Sequence, residues 1–404
     1  MSAEYKKTCE LLSPAGSLEK LETVYTYGAD AAYIGVDEFS LRENGERIDL
    51  SSKDELNRIK QRHKGKKLYG AINMFFFEND LYNLDKKIDE IGALPFDAFI
   101  VSDLGAASVI RKHLPNMPLH LSTQSSCTNS ESVKVYRDLG FSRIILAREV
   151  NLENIRKIHN DVKDVELEAF VHGAMCMAVS GRCILSAACT KRSANRGECA
   201  HTCRWRYRLA LEEEERPGLY MPIEEHNNFT TILSSKDLCM IDYVDELVDA
   251  GLSSLKIEGR MKSTYYAAIT TRAYRKALDG DKDIALYKNE LEKVSHREWT
   301  TGFFFDDEKI AFAPPKEEYL RSYRFLGTVK ENVRDNIWSI DIKNQISSLR
   351  DIEAIAPDVI TLPLGKVTTL DEEFNEVEHI DHGKVGYIKT DAKIGSGFIL
   401  RELI

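Results

Sequence analysis

From Glu10 onward, short apolar runs rich in β-branched and aromatic residues alternate with longer stretches whose apolar positions recur at helical spacing. The runs are Glu10-Leu11-Leu12-Ser13, AAYIGV from Ala31, KLYGAINMF from Lys67, DAFIVSD from Asp97, LHLSTQ from Leu119, RIILAR from Arg143, VELEAFVHG from Val165 and SSLKIEGR from Ser253. Between them lie amphipathic segments such as SLEKLETVYTYG, LYNLDKKIDEIGAL, SESVKVYRDLG and NLENIRKIHND, several ending near a glycine that can cap a helix. Eight strand and helix alternations predict an α/β fold, a (β/α)8 TIM-like barrel. A doubly wound open sheet is the competing arrangement, but no G-x-G-x-x-G turn follows the first strand.

STYYAAITTRAYRKALDG from Ser263 reads as the last barrel helix, and SHREWTTGFFFDD then leads to Pro314-Pro315, a linker signal. From about Tyr319 the pattern changes to short alternating runs, RFLGTVKE, IWSIDIK, VITLPLGKVTTL, VGYIKT and GSGFILREL. They predict a small antiparallel β domain, a barrel in the expected form. The expected division is therefore a barrel over 1–315, carrying an insertion at 172–207, and a β domain over 316–404.

In a barrel, the polar residues that end the strands collect at the carboxyl-terminal mouth, where enzymes of this architecture do their chemistry. Here they are Tyr33, Asn73, Asp103, Gln124, Arg148, Glu149, His172, Lys256, Glu258 and Arg260. Loop-facing positions are polar in any barrel, so no single one of these residues is diagnostic. Together they outline a pocket holding both cations and carboxylates.

With 43% hydrophobic and 30% charged residues, the 404-residue chain has the composition of a folded globular protein. The net charge of −10 means that a nucleic acid would have to meet a local basic patch. The first residues lack the apolar core of a secretory signal, and no window approaches the roughly 18 to 20 apolar residues of a membrane span. A cytoplasmic protein with reduced thiols is the expectation.

That expectation changes the meaning of the stretch from His172 to Tyr207, HGAMCMAVSGRCILSAACTKRSANRGECAHTCRWRY, which follows the seventh strand. Five of the eight cysteines lie in it: Cys176, Cys183, Cys189, Cys199 and Cys203. Clustered thiols in a reduced compartment bind metal more often than they pack, and a structural zinc or an iron–sulfur cluster would both suit them. Only Cys199 and Cys203 are spaced as a zinc pair, which tilts the balance toward the cluster. Cys189 sits in an apolar context, Cys239 could approach the mouth ahead of the eighth strand, and Cys9 and Cys127 flank strands. Interleaved with the thiols are Arg182, Lys191, Arg192, Arg196, Arg204, Arg206 and Arg208, opposed between Gly181 and Arg208 by Glu198 alone. With Trp205 and Tyr207 this local inversion of charge predicts an anionic partner, RNA or a carboxylate-rich small molecule, whose bases could stack on the rings. The plainer alternative is that the cations offset a thiolate cluster or the Glu212 to Glu215 run.

HGAMCMAVSGRC, RSANRGECAHTCRWRY, SLKIEGRMKS and SHREWTTGFFF together resemble the peptidase U32 family, most closely its branch of prephenate-dependent tRNA uridine hydroxylases. The resemblance extends from ELLSPAG at the first strand to the C-terminal domain. It implies a 4Fe-4S cluster held by Cys176, Cys183, Cys199 and Cys203, with Cys239 a substitute for one of them, since other branches take a ligand from just before the KIEGR strand. It also implies hydroxylation of the wobble uridine of tRNA to 5-hydroxyuridine without dioxygen, prephenate being the oxygen donor. Arg148, Lys256 and Arg260 would hold the two prephenate carboxylates through charge-assisted contacts. Arg196, Arg204 and Trp205 would receive the anticodon loop, and His172 and Glu258 would be the proton-transfer groups or structural hydrogen-bond partners. A paralogous subunit is a further partner that the resemblance suggests.

The family's label suggests a peptidase as the main enzyme alternative. The sequence has no G-x-S-x-G and no H-E-x-x-H, and a Cys127 nucleophile near His120 lacks motif support. Hydroxylation of ribosomal RNA or of a quinone precursor, and a non-catalytic RNA-binding subunit stapled by its metal, are the other readings carried forward.

Overall fold

A computed structural model describes the chain except residues 1–8, 42–47, 49, 176–184, 193, 195–197, 203–204, 206–209, 213–219, 223–235 and 306–319. Its elements through the first domain are β1 (Glu10–Pro14), α1 (Leu18–Thr26), β2 (Ala31–Gly35), α2 (Lys53–Arg62), β3 (Lys67–Ile72), α3 (Glu78–Gly92), β4 (Ala98–Val101), α4 (Leu104–His113), β5 (Leu119–Leu121) and α5 (Ser130–Asp138). There follow β6 (Phe141–Ile145), α6 (Leu152–Asp161), β7 (Glu166–Ala174), α7 (Leu185–Thr190), β8 (Ala210–Glu212), β9 (Tyr220–Pro222), β10 (Asp237–Cys239), α8 (Val244–Asp249), β11 (Ser254–Ile257), α9 (Thr264–Leu278), α10 (Ile284–Leu291) and β12 (Trp299–Thr300).

All eight strands expected from the pattern are present. β1 to β7 and β11 pair in parallel, and the sheet closes through Leu12 opposite Lys256 and Lys256 opposite Phe170. This is a closed eight-stranded parallel barrel. Five helices begin at side chains that accept a hydrogen bond from the third helical residue's N–H: Ser17 for α1, Asp103 for α4, Asn129 for α5, Asn151 for α6 and Ser263 for α9. Each such cap contributes about 1 kcal/mol and fixes where a loop at the mouth ends.

β7 is nine residues long and overshoots the barrel rim. Its last turn bends away at Gly173, whose φ is 103° and where a Cβ would lie 2.6 Å from the Glu258 carbonyl oxygen. Beyond the barrel pairing, β7 takes an antiparallel partner, β10, with Cys239 opposite His172, and β10 is joined in turn by β12. Neither β10 nor β12 was anticipated: each is only two or three residues long and carries no alternation to read.

The C-terminal strands are β13 (Tyr323–Arg334), β14 (Ile337–Ile342), β15 (Ile346–Ser347), β16 (Ile352–Ala356), β17 (Val359–Gly365), β18 (Thr368–Leu370), β19 (Glu376–Val377), β20 (His379–Ile380), β21 (Tyr387–Lys389) and β22 (Ile399–Leu403). Eight form an antiparallel sheet in the order β17-β16-β22-β13-β14-β21-β18-β19, and β15 pairs with β20. Leu326, Val329, Ile352, Ile388 and Leu400 build its core. The expected boundary at Pro314-Pro315 lies outside the described residues.

Charged groups join the two domains. Arg401 of β22 reaches Glu290 of α10 at 2.7 Å, the Tyr265 hydroxyl of α9 at 3.0 Å and Glu353 at 2.8 Å, and it is wholly buried. Arg272 of α9 donates to the carbonyls of Ala356 and Val359, both at 2.9 Å, and the Tyr27 hydroxyl donates to that of Ile355 at 2.9 Å. Ile355 and Ile399 pack into the barrel's own hydrophobic cluster.

Candidate functional site

The interior of the barrel is polar. Glu10 accepts from Arg143 and from the Tyr69 hydroxyl, both at 2.6 Å; Arg143 also reaches Glu168 at 3.1 Å, and Lys256 donates to Glu168 at 2.8 Å. Two enclosed carboxylates thus face two enclosed cations. Such a cluster is tolerated only because each member is hydrogen-bonded. Burial acts to raise the Glu10 carboxyl, but Arg143 beside it holds it below its ordinary range. Burial likewise pulls the Lys256 ammonium down, and Glu168 only partly offsets this.

His120 on β5 shares this interior, its ring edge-on to Tyr69 at 4.8 Å. Burial and the nearby Arg143 and Lys256 keep its imidazole neutral, and its buried Nδ1 has no hydrogen-bond partner among the described residues.

Of the expected mouth cations, Lys256 is therefore drawn inside, 3% exposed and paired with Glu168, with its ammonium 4.5 Å from the centre of the Tyr33 ring. Arg260 turns toward the loop after β2, where it donates to the Ser40 hydroxyl at 2.6 Å and to the Leu41 carbonyl. Gly16 is required there, since a Cβ would overlap the Arg260 carbonyl oxygen. Arg148 differs from both. Half-buried in the loop after β6, it lies 4.1 Å over the ring of Phe170, and among the described residues no carboxylate or other hydrogen-bond partner meets it. It brings to the mouth a positive charge that the interior does not neutralise.

His172 is fully enclosed, with Tyr266, Tyr274 and Trp299 around its ring at 5.9, 5.4 and 5.1 Å, and burial pulls it down to about 3. It stands on the α9 side, between that helix and β12. Glu258 is half-buried, its backbone N–H bonded to the His172 carbonyl at 2.8 Å and its own carbonyl to the Tyr266 hydroxyl at 3.0 Å. Asp103 serves as a helix cap, Asn73 accepts from the Leu41 N–H, and the Tyr33 hydroxyl donates to the Ile257 carbonyl at 3.0 Å.

The cysteine stretch leaves from the end of β7, at the mouth. Cys176, Cys183, Cys203, Arg196 and Arg204 lie outside the described residues. Cys199 is half-buried and Cys189 exposed. Cys239 is held in register with His172 at the root of the same loop, its thiol pushed up to about 11 by burial. Trp205 is 45% exposed, its indole N–H tied to the Ala200 carbonyl at 3.2 Å, so that the ring itself stays open to solvent. Among the described residues no three potential ligands converge on a metal position. A donor set of four thiols from one loop nonetheless suits a soft metal centre, and the described member, Cys199, is a free thiol.

The sequence profile of peptidase family U32 matches residues 16–312. The chain belongs to this family. It is 35% identical to tRNA hydroxylation protein P of Escherichia coli, with 86% of each chain covered. It is 41% identical to the tRNA hydroxylation protein P of Helicobacter pylori strain 26695, covering 73% of this chain and 71% of that one. It is also 38% identical to the 23S rRNA 5-hydroxycytidine C2501 synthase of Escherichia coli, over 78% of this chain and 45% of the relative. The relatives named for tRNA hydroxylation support a tRNA-modifying enzyme. No helix among the described residues is long and apolar enough to cross a membrane.

Glu10, Arg143, Glu168 and Phe170 were not anticipated at the site, and His120 was named only as a neighbour of Cys127. A signal was present: Glu166 and Glu168 alternate with apolar residues in VELEAF, and charge at every second position of a barrel strand points inward.

Proposed function

We propose that this protein hydroxylates a uridine of tRNA to 5-hydroxyuridine, at the wobble position, with prephenate as oxygen donor in place of dioxygen. The observation that carries the reading is the similarity over most of the chain to proteins named for tRNA hydroxylation. The arrangement of the mouth supports it. Arg148 offers an uncommitted guanidinium for a carboxylate, and its planar fork suits a bidentate contact. Phe170 beneath it covers one face of that guanidinium and leaves its edge free to donate. Trp205 presents an open ring within the basic stretch.

Cys176, Cys183, Cys199 and Cys203 would hold a 4Fe-4S cluster, which when bound supplies one-electron redox chemistry. The chain's own residues orient the donor and admit the base. Glu258, half-buried at the end of β11, remains the proton-transfer candidate, whereas His172 is enclosed and held neutral.

Deleting the gene and analysing digested bulk tRNA by mass spectrometry tests the reaction: 5-hydroxyuridine-derived nucleosides should disappear. Unchanged levels in a strain without a related copy would sink the reading. Anaerobic purification should yield a brown protein with about four irons per chain.

A ribosomal RNA substrate is the second reading, favoured by the similarity to the 23S rRNA enzyme. The same digest applied to ribosomal RNA separates the two. Against the peptidase alternative stands the state of its candidate nucleophile. Cys127 is 1% exposed and burial pushes its thiol up to about 11, opposite to what a nucleophilic thiol needs.

A further inference from the structure

Lys256 places an amine where a barrel would ordinarily be filled by apolar side chains. It is the third residue of β11 and stands opposite Leu12, two residues nearer the mouth than Glu10 at the start of β1. An ammonium has three protons to donate, yet among the described residues this one makes a single hydrogen bond, to Glu168 at 2.8 Å. Its other neighbours are aromatic, the ring centres of Tyr33 and Phe170 lying 4.5 and 5.4 Å away. Burial pulls the ammonium down, Arg143 and Arg260 act in the same direction, and Glu168 offsets them only in part. A desolvated lysine beside other cations gives up its proton readily and acts as a nucleophile. Glu168 is placed to receive that proton, and Arg143 at 3.1 Å holds the carboxylate while it does so.

Phe170 connects this amine with the mouth. It lies two residues beyond Glu168 on β7, is 9% exposed, and has the Arg148 guanidinium 4.1 Å from its ring centre. Barrel strands alternate in and out, so the interior positions one layer above Tyr69 and His120 are Ala71 and Ser122. These reach less far across the barrel than the rings below them. A small molecule held by Arg148 through a carboxylate therefore brings its next carbon toward Lys256.

We propose that Lys256 forms an imine with the ketone of a 2-oxo acid whose carboxylate Arg148 holds. Glu168 takes a proton from the ammonium, and the neutral Nζ adds to the carbonyl carbon to give a carbinolamine. Glu168 then returns its proton to the departing oxygen, so that the products are a protonated imine and one water. No oxidant or reductant is consumed, and hydrolysis restores both partners. The protonated imine keeps a positive charge opposite Glu168, so the charge balance of the interior is unchanged. The inference rests on the reading of the mouth as a prephenate site, prephenate being itself a 2-oxo acid. It adds what the protein does to that ketone, since an imine draws electrons from its neighbouring carbons more strongly.

The test uses the anaerobically purified full chain with pyruvate or phenylpyruvate and cyanoborohydride, which reduces an imine to a stable amine. The intact protein should gain the mass of one acid less one oxygen atom, and peptide mapping should find the label on Lys256 before any exposed lysine. Lactate, which has the carboxylate but no ketone, should leave no mark. Arg148→Ala should raise the pyruvate concentration for half-labelling roughly 10- to 150-fold. Lys256→Arg keeps the charge opposite Glu168 and should abolish the label, and the wild-type map decides the matter even where that variant fails to fold. An unlabelled Lys256, or a label spread over the exposed lysines, overturns the imine; with 5-hydroxyuridine-derived nucleosides still lost in the deletion strain, the hydroxylase reading stands without it. A labelled Lys256 with those nucleosides unchanged upholds the imine and removes the hydroxylase reading.

Discussion

Lys256 and Glu168 meet inside the barrel, ammonium to carboxylate at 2.8 Å, on adjacent parallel strands and with 3% and 0% of each residue exposed. Glu168 simultaneously receives Arg143, so removing one cation leaves the other to hold it, while removing Glu168 strands Lys256 in the interior, Arg143 keeping Glu10 at 2.6 Å. Glu168→Leu should therefore cost more than Lys256→Met, with roughly 3–5 kcal/mol expected for the former. The double variant should recover much of that loss, because the apolar pair no longer strands Lys256. Urea unfolding of the four proteins in the cycle measures the coupling, and strict additivity would contradict it.

His120 gives the barrel an acid-sensitive side. Its imidazole is held neutral in the folded state, so its folded pKa lies below its unfolded value near 6.5. Above that value neither state binds the proton and the group is silent. Below it the unfolded chain takes up a proton that the folded chain refuses, and stability falls by up to about 1.4 kcal/mol per pH unit. His120→Phe should flatten this slope between about pH 6.5 and 5 while changing stability little at pH 8. The comparison is a pair of denaturation series at those pH values. An unchanged slope would show that the ring is protonated in the fold.

Arg401 latches the second domain to the barrel. It lies wholly buried between Glu290, Tyr265 and Glu353, and Arg272 stands on the other side of Glu290 at 3.4 Å. Arg401→Ala should destabilise the protein by about 1–3 kcal/mol, since the buried Tyr265 hydroxyl loses its partner while Glu290 keeps Lys293 at 2.6 Å and Arg272 at 3.4 Å. Calorimetry should then resolve the β domain and the barrel as separate transitions. A single, slightly lowered transition would mean that apolar packing around Ile355 and Ile399 carries the junction.

Much of the fold was legible because it depends on local period. Eight apolar runs separated by helical segments leave few alternatives, and Ser17, Asp103, Asn129, Asn151 and Ser263 mark helix starts at the positions the pattern requires. The site was legible only in part. Residue type told that Lys256, Arg260 and Arg148 end strands, but not which cation a neighbour had already claimed. That depends on contacts between residues far apart in sequence, such as Lys256 with Glu168 and Arg260 with Ser40. The cysteine cluster was visible as a motif, whereas the approach of Cys239 to the root of its loop needed the pairing of β10 with β7.

Arg148 is where these distinctions bear on activity. Lys256 and Arg260 are held by protein groups, and altering either would disturb the barrel before it reported on a ligand. Arg148 touches the Phe170 ring and, among the described residues, has no carboxylate to lose. Arg148→Ala should therefore leave the melting temperature within a degree or two while weakening the proposed contact to the prephenate donor by about 1.5–3 kcal/mol, roughly 10- to 150-fold in KM. Arg148→Lys keeps the charge but loses the planar fork and its stacking on Phe170, so it should recover only part of the loss. If the guanidinium holds only the donor, KM for prephenate rises while the affinity for tRNA stays constant. Steady-state kinetics with each substrate varied in turn separate these, and a loss confined to tRNA binding would place Arg148 on the nucleic acid instead.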